Sequence, residues 1–351
     1  MVRFSKRADS LFLRGIDCRF LIKVFSDIQR MNKIKLAFYF FFLSALTSVP
    51  GQAIPDSTGI SLGYPVYSQY LQNGLLINPA YAGSRGALSA FLSYRMQWMG
   101  IPDAPAFQSV SLNAPMKNDK VGLGIMAQFM KFGFTKSQSI YVSYAYHIKL
   151  RTGKLSFGLK GGFDRSNTDY TGILTTTKND PVFTVNDKPY FLPNVGAGLY
   201  YFSDKLFAGV SVPSFLSYRK NSATGSLEVY HSFSEYDLIF SAGGLITFSE
   251  AFKFRPSVLV DYSLQNTKNL TQFDINGNFI IGDLIWLGGS WRTSEEVVVG
   301  IIQVQLNPQL MFGFSYDYPV GRMNSYSKGS SEFILRYEFG YKVSAANPRY
   351  F

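Results

Sequence analysis

The side chains most able to do chemistry in this chain are few, and their spacing argues against a reaction. There are two histidines, His147 and His231, and one cysteine, Cys18. The histidines stand far apart, and neither has a metal-ligand spacing to a second donor. A lipid-facing hydrolase would need a serine and a histidine on its membrane side. His147 instead falls in phase with Ser143 and Lys149, on the polar face of its segment. No Gly-x-Ser-x-Gly elbow occurs. Gly122-Leu123-Gly124, Gly161-Gly162 and Gly196-Ala197-Gly198 precede no helix, so they provide curvature or room for neighbours rather than a phosphate loop. These residues imply a non-enzyme with no catalytic residue, no metal site and no cofactor.

What positions these side chains is a succession of strands. Leu88, Ala90, Leu92, Tyr94, Met96 and Trp98 alternate with Ser89, Ser93, Arg95 and Gln97, and Phe91 is the single exception. Leu155, Phe157, Leu159 and Phe163 alternate likewise with Ser156, Gly158, Lys160, Gly162 and Asp164. So do Leu310 to Tyr318, and Phe333, Leu335, Tyr337, Phe339 and Tyr341 against Glu332, Arg336 and Glu338. Hydrophobic residues make up 46% and aromatic residues 17% of the 351, yet the mean hydropathy is only +0.03, so apolar and polar residues are finely interleaved. Charged residues, at 16%, fall below the ~25% of an ordinary soluble domain, which implies a large surface turned away from water.

Segments of about nine to thirteen residues match the ~9–11 that cross a bilayer at a tilt. Short connections at 117–120, 151–154, 203–205, 249–251, 282–283 and 307–308 alternate with usually longer ones at 100–106, 132–136, 166–190, 213–236, 264–270, 293–296 and 319–330. That asymmetry predicts an all-β fold, a transmembrane outer-membrane β-barrel of about fourteen antiparallel strands, with long loops outside and both termini periplasmic. Tyr200, Tyr201, Phe202, Phe207, Phe248, Phe252 and Phe254 cluster near the short turns and are expected to form an interfacial girdle.

The amino-terminal region reads as an export signal. Lys33 and Lys35 supply a positive start, Leu36 to Leu46 an apolar core, and Gly51-Gln52-Ala53 the small residues of a cleavage site. The expected organisation is 1–30 as a mis-assigned start or an extension, 31–53 as signal peptide and 54–86 as a periplasmic lead-in. The barrel follows at 87–341 and a tail at 342–351. Cys18 would be absent from the mature chain, which removes any disulfide or thiol nucleophile. Residues 1–30 carry seven Lys/Arg against three Asp, and 31–53 add Lys33 and Lys35, leaving about +5 of the formal +11. That charge is too mild and dispersed for nucleic acid.

Asn78-Pro79-Ala80-Tyr81-Ala82-Gly83 is the most distinctive stretch. Pro79 fixes a turn, Ala80, Ala82 and Gly83 let the backbone pass close to something, and Tyr81 anchors by packing. It leads into the first strand, or it is a docking segment or plug at the barrel mouth. Arg95 and Gln97 should face the lumen, either solvated and salt-bridged or gripping a passing or anchored chain.

Tyr67-Ser68-Gln69-Tyr70, Ile77-Asn78-Pro79-Ala80-Tyr81-Ala82-Gly83 and Tyr94-Arg95-Met96-Gln97-Trp98 resemble the PorP/SprF family of outer-membrane proteins linked to type IX secretion in Bacteroidetes. The likeness continues through Ser111-Leu112-Asn113-Ala114-Pro115, the Gly-rich strands near 121, 155 and 193, and Ser331 to Tyr337. It implies a barrel surrounded by outer-membrane lipid that works with type IX secretion machinery subunits. The substrates implied are secreted proteins, adhesin-like in gliding bacteria, recognised through their C-terminal domains. The alternative from strand count alone is a porin-like diffusion channel.

Overall fold

The computed structural model describes residues 67–116, 119–169, 189–220, 227–230, 236–264 and 272–340. The chain divides into two units, Met1–Ser57 and Thr58–Phe351, and every described residue belongs to the second. The expected signal peptide, Cys18, His231, the middle of both longest loops and the tail 342–351 lie outside the described residues.

The first strands are β1 (Leu88–Met96), β2 (Ala106–Pro115), β3 (Val121–Phe132), β4 (Thr135–Lys149), β5 (Lys154–Thr168), β6 (Tyr190–Phe202) and β7 (Leu206–Val212). Two short strands, β8 (Ser217–Lys220) and β9 (Leu227–Tyr230), pair with each other in a separate two-stranded sheet. The series resumes with β10 (Asp237–Gly244), the two-residue β11 (Ile246–Thr247), β12 (Phe252–Ser263) and β13 (Gln272–Ile281). It ends with β14 (Ile285–Arg292), β15 (Val297–Gln305), β16 (Leu310–Pro319) and β17 (Ser330–Phe339).

Every pairing is antiparallel. β1 joins β17 from Leu88↔Phe339 to Met96↔Ser331, and β10 joins both β7 and β12, so the 15-stranded sheet closes on itself with β11 as an appendage. Fourteen strands therefore form the closed barrel, as the alternation predicts. Closure gives each of the fourteen described barrel strands a paired neighbour on both sides, the condition a membrane-crossing sheet has to meet.

Local chemistry sets the register. Gly282 and Asp283, with φ of 59° and 55°, give the β13–β14 connection the left-handed pair that matches strand twist in a tight hairpin. The expected short connections all lie on one rim and the expected longer ones on the other, although the β3–β4 connection there is a tight turn at 133–134. Leu88, Leu92, Leu159, Phe312, Leu335 and Phe339 are exposed on the outer face, while their neighbours Ser89, Ser93, Lys160, Met311, Arg336 and Glu338 are buried. This phase makes a direct prediction. Leu335→Arg places a charge on the lipid face and should cost ~2–4 kcal/mol in a urea titration of the vesicle-inserted barrel, with Leu335→Phe nearly neutral. Equal tolerance of both would mean that Leu335 faces the lumen.

Two expectations need correction. Residues 67–86, expected as a periplasmic lead-in, lie inside the barrel: Tyr70, Leu75, Leu76, Ala80, Tyr81 and Ala82 pack against wall residues from β1, β3, β4, β6, β7, β10, β12 and β17. Tyr200 and Phe207, expected in the girdle, also point inward and belong to this internal cluster. The cause is the same in both cases. The inner face meets protein rather than water, so apolar side chains are stable there; Phe91, Met126, Ile239, Leu259 and Ile334 do likewise.

Candidate functional site: the plugged lumen

The lumen segment folds as three short 3-10 turns, Tyr70–Gln72, Gly74–Leu76 and Pro79–Tyr81, punctuated by Asn73, Gly74 and Pro79. Asn78 organises the third turn. Its side chain accepts a hydrogen bond from the Ala80 N–H (2.9 Å) and donates to the Leu199 and Val210 carbonyls on the paired strands β6 and β7 (2.9 and 3.3 Å). Pro79 follows at the position where a missing N–H costs nothing. The Ala80 carbonyl accepts from Ser156 Oγ at 2.6 Å, and the Tyr81 ring meets the Tyr200 ring edge-on at 5.6 Å.

The wall gives way where this backbone passes. A Cβ at Gly158 would collide with the Ala80 backbone, one at Gly122 with the Ala82 carbonyl, and one at Gly198 with the Asn78 side chain. Gly83 itself adopts φ +74°, and a Cβ there would lie 2.7 Å from Gly122 Cα. The glycines of β3, β5 and β6 thus form a seat for the plug. Gly161 has nothing within 4 Å and takes no part in it.

At the other rim the plug is held by charge. Ser68 Oγ donates to Asp317 (2.8 Å) and accepts from Arg95 Nη1 and Arg292 Nη2 (3.0 and 3.1 Å), while the Ser68 N–H donates to Glu332 (2.7 Å). Arg95 pairs with Asp317 at 2.6 Å and Glu332 at 3.5 Å, and Arg292 with Asp317 at 3.0 Å and Asp274 at 3.3 Å. Gln97 Nε2 donates to Glu295 at 2.7 Å, and Glu295 pairs in turn with Arg292 at 3.2 Å. Buried ions are costly unless paired and hydrogen-bonded, and these are both.

Amides fill the space between. Gln72 donates to Gln303, which donates to Gln69, and Arg336 donates to Gln72. Asn73 donates to Ser111 (2.7 Å), Asn276 to the Tyr70 hydroxyl (2.8 Å) and Gln128 to the Tyr67 hydroxyl (2.6 Å). At the short-turn rim Arg85 bonds Glu338 at 2.7 Å. Inward polar residues on opposite walls, Ser111, Ser156, Asn276 and Ser315, are almost wholly buried, whereas a water-filled lumen would leave them wet. The gap lined by Tyr70, Gly74, Asn78, Tyr81, Tyr200 and Phe207 measures about 20 Å³, room for little more than a water.

Arg95 and Gln97 face the lumen, and the structure joins them in one buried network with Glu295 and Arg292. Asn78 to Gly83 lie at the opposite rim and are buried within the barrel. Sequence reasoning missed Ser68, Asp274, Arg292, Asp317 and Glu332. The four strand residues carried a signal, a charge in the inward phase near the long-loop ends of β13, β14, β16 and β17, whereas Ser68 lies on no strand and carried none. His147 points inward beside Phe202, rings 5.8 Å apart and edge-on, in phase with Ser143.

A profile of the type IX secretion system membrane proteins PorP/SprF matches residues 60–337. The chain belongs to the PorP/SprF family. It is therefore a non-enzymatic outer-membrane barrel of type IX secretion, and the matched region includes the plug as well as the wall. No curated protein matches this PorP/SprF member at a significant level. Among solved structures, Omp33 of Acinetobacter baumannii is similar at TM-score 0.43 and 7% identity, over 73% of this chain and 100% of that one. The monoaromatic hydrocarbon channel CymD is similar at 0.44 and 12%, over 82% and 96%. A Pseudomonas aeruginosa FadL homologue is similar at 0.42 and 11%, over 75% and 93%.

Proposed function

We propose that this PorP/SprF barrel assists the export or surface anchoring of particular secreted proteins, adhesin-like in character, in concert with periplasmic secretion subunits. The observation that supports this reading, over a channel for small solutes, is the plug: the lumen is occupied by the protein's own chain. A barrel closed inside has its two rims left for work. The periplasmic rim suits the secretion machinery, and the long loops suit a cargo's C-terminal domain. Loops can vary between family members without disturbing closure, which makes them the natural seat of cargo choice.

Shortening the loops 166–190 and 213–236 together should leave an inserted barrel with normal heat-modifiable gel mobility. Surface display of one adhesin-like substrate should fall while bulk secretion continues. If display of every secreted protein fell equally, or nothing changed, cargo choice would lie on the periplasmic side or in the plug.

A further inference from the structure

We infer that the plug is threaded through the barrel from the long-loop rim to the short-turn rim, so that the amino-terminal end of the mature chain is presented at the cell surface. The direction follows from where each plug residue meets the wall. β1, β14 and β16 run toward the long-loop rim, and Arg95, Arg292 and Asp317 lie at or near their far ends. β17 starts from that rim, and Glu332 is near its start. All four touch Ser68. The Tyr67 hydroxyl accepts from Gln128, in the part of β3 that approaches the same rim.

Farther along the plug the contacts descend. Asn73 meets Ser111 in the middle of β2. Ala80 meets Ser156 near the start of β5, which rises from the short-turn rim, and Gly83 lies against Pro115 and Gly122, at the short-turn ends of β2 and β3. Arg85 reaches Glu338 beside the end of β17. The plug therefore crosses the membrane as an irregular inner strap, and β1 then carries the chain back up. Tyr67, the first described residue of the plug, thus stands toward the long-loop rim with the packed lumen below it, and that rim faces outward in barrels of this kind. The expected placing of both termini in the periplasm would then hold only for the carboxyl end.

This topology stands apart from the cargo reading and holds whatever is exported. A protein that pulled on the chain ahead of Tyr67 from outside would pull on the Ser68 charge cluster.

The test uses full-length protein in its own outer membrane. Ser61→Cys, Ser325→Cys on the long-loop side and Ser249→Cys on the short-turn side are each treated with a membrane-impermeant maleimide, before and after permeabilisation. Ser61→Cys should label in intact cells to the same extent as Ser325→Cys, with Ser249→Cys labelled only after permeabilisation. If Ser61→Cys follows Ser249→Cys, or stays unlabelled in both states, the threading is overturned whichever rim faces out. If instead Ser249→Cys labels in intact cells and Ser61→Cys follows Ser325→Cys, the threading holds and the surface placement fails.

Discussion

Gly122→Leu is expected to destabilise the folded barrel by more than ~4 kcal/mol, a size reserved for a few mechanisms such as overpacking and strain. Position 122 faces the lumen on β3, where any Cβ would strike the Ala82 carbonyl and approach the Gly83 nitrogen. Those are backbone atoms, so no side-chain rotation relieves the clash. The strand cannot retreat either, because it is bonded on one side to β2 (Pro115↔Gly122) and on the other to β4 (Gly122↔Ala145). Gly161→Ala supplies the control, since nothing lies within 4 Å of its Cβ. Its effect should stay within ~0.5 kcal/mol. Urea titration in vesicles, read by heat-modifiable gel mobility, measures both, and equal losses would contradict the glycine seat.

Arg95→Ala should cost ~3–5 kcal/mol, because it leaves the buried Glu332 carboxylate without its ion-pair partner. Arg95 is wholly buried and serves Asp317, Glu332 and the Ser68 hydroxyl together. Arg292 stays on Asp317, but Glu332 loses its ion-pair partner. The exposed pair Lys131–Asp103, at 3.2 Å with both side chains half exposed, is the contrast. Lys131→Ala should cost ~0–1 kcal/mol, since water already solvates both charges. Similar losses at the two sites in the same titration would mean that the Arg95 cluster is open to water.

The outer face of this protein was legible in the sequence because one physical condition governs it throughout. Lipid accepts only apolar side chains, so Leu88, Leu159, Phe312 and Leu335 declare the strand phase, and turn residues such as Gly282 and Asp283 declare the breaks. The inner face obeys no such uniform rule. What Phe91, Met126 and Ile334 face is another part of the same chain, and an irregular segment carries no period from which its burial can be read.

The Asn78 to Gly83 stretch showed its own half of a contact. Small residues and a proline announced a close approach, but the surfaces approached, Gly122 and Gly158 on β3 and β5, are distant in sequence and look like ordinary strand glycines. Arg95 was legible as a lumen residue from its phase alone. Its partners Asp317 and Glu332 belong to strands at the other end of the chain, brought beside β1 only when the barrel closes.

The closed lumen is tested most directly by single-channel recording of the purified protein in planar bilayers, alongside a variant lacking residues 67–84. The intact barrel should show no steady conductance for small ions, and the deletion should show steady, ohmic openings. Steady conductance of the intact barrel, as large as that of the deletion, would contradict a plug that seals the lumen and would restore the diffusion-channel reading.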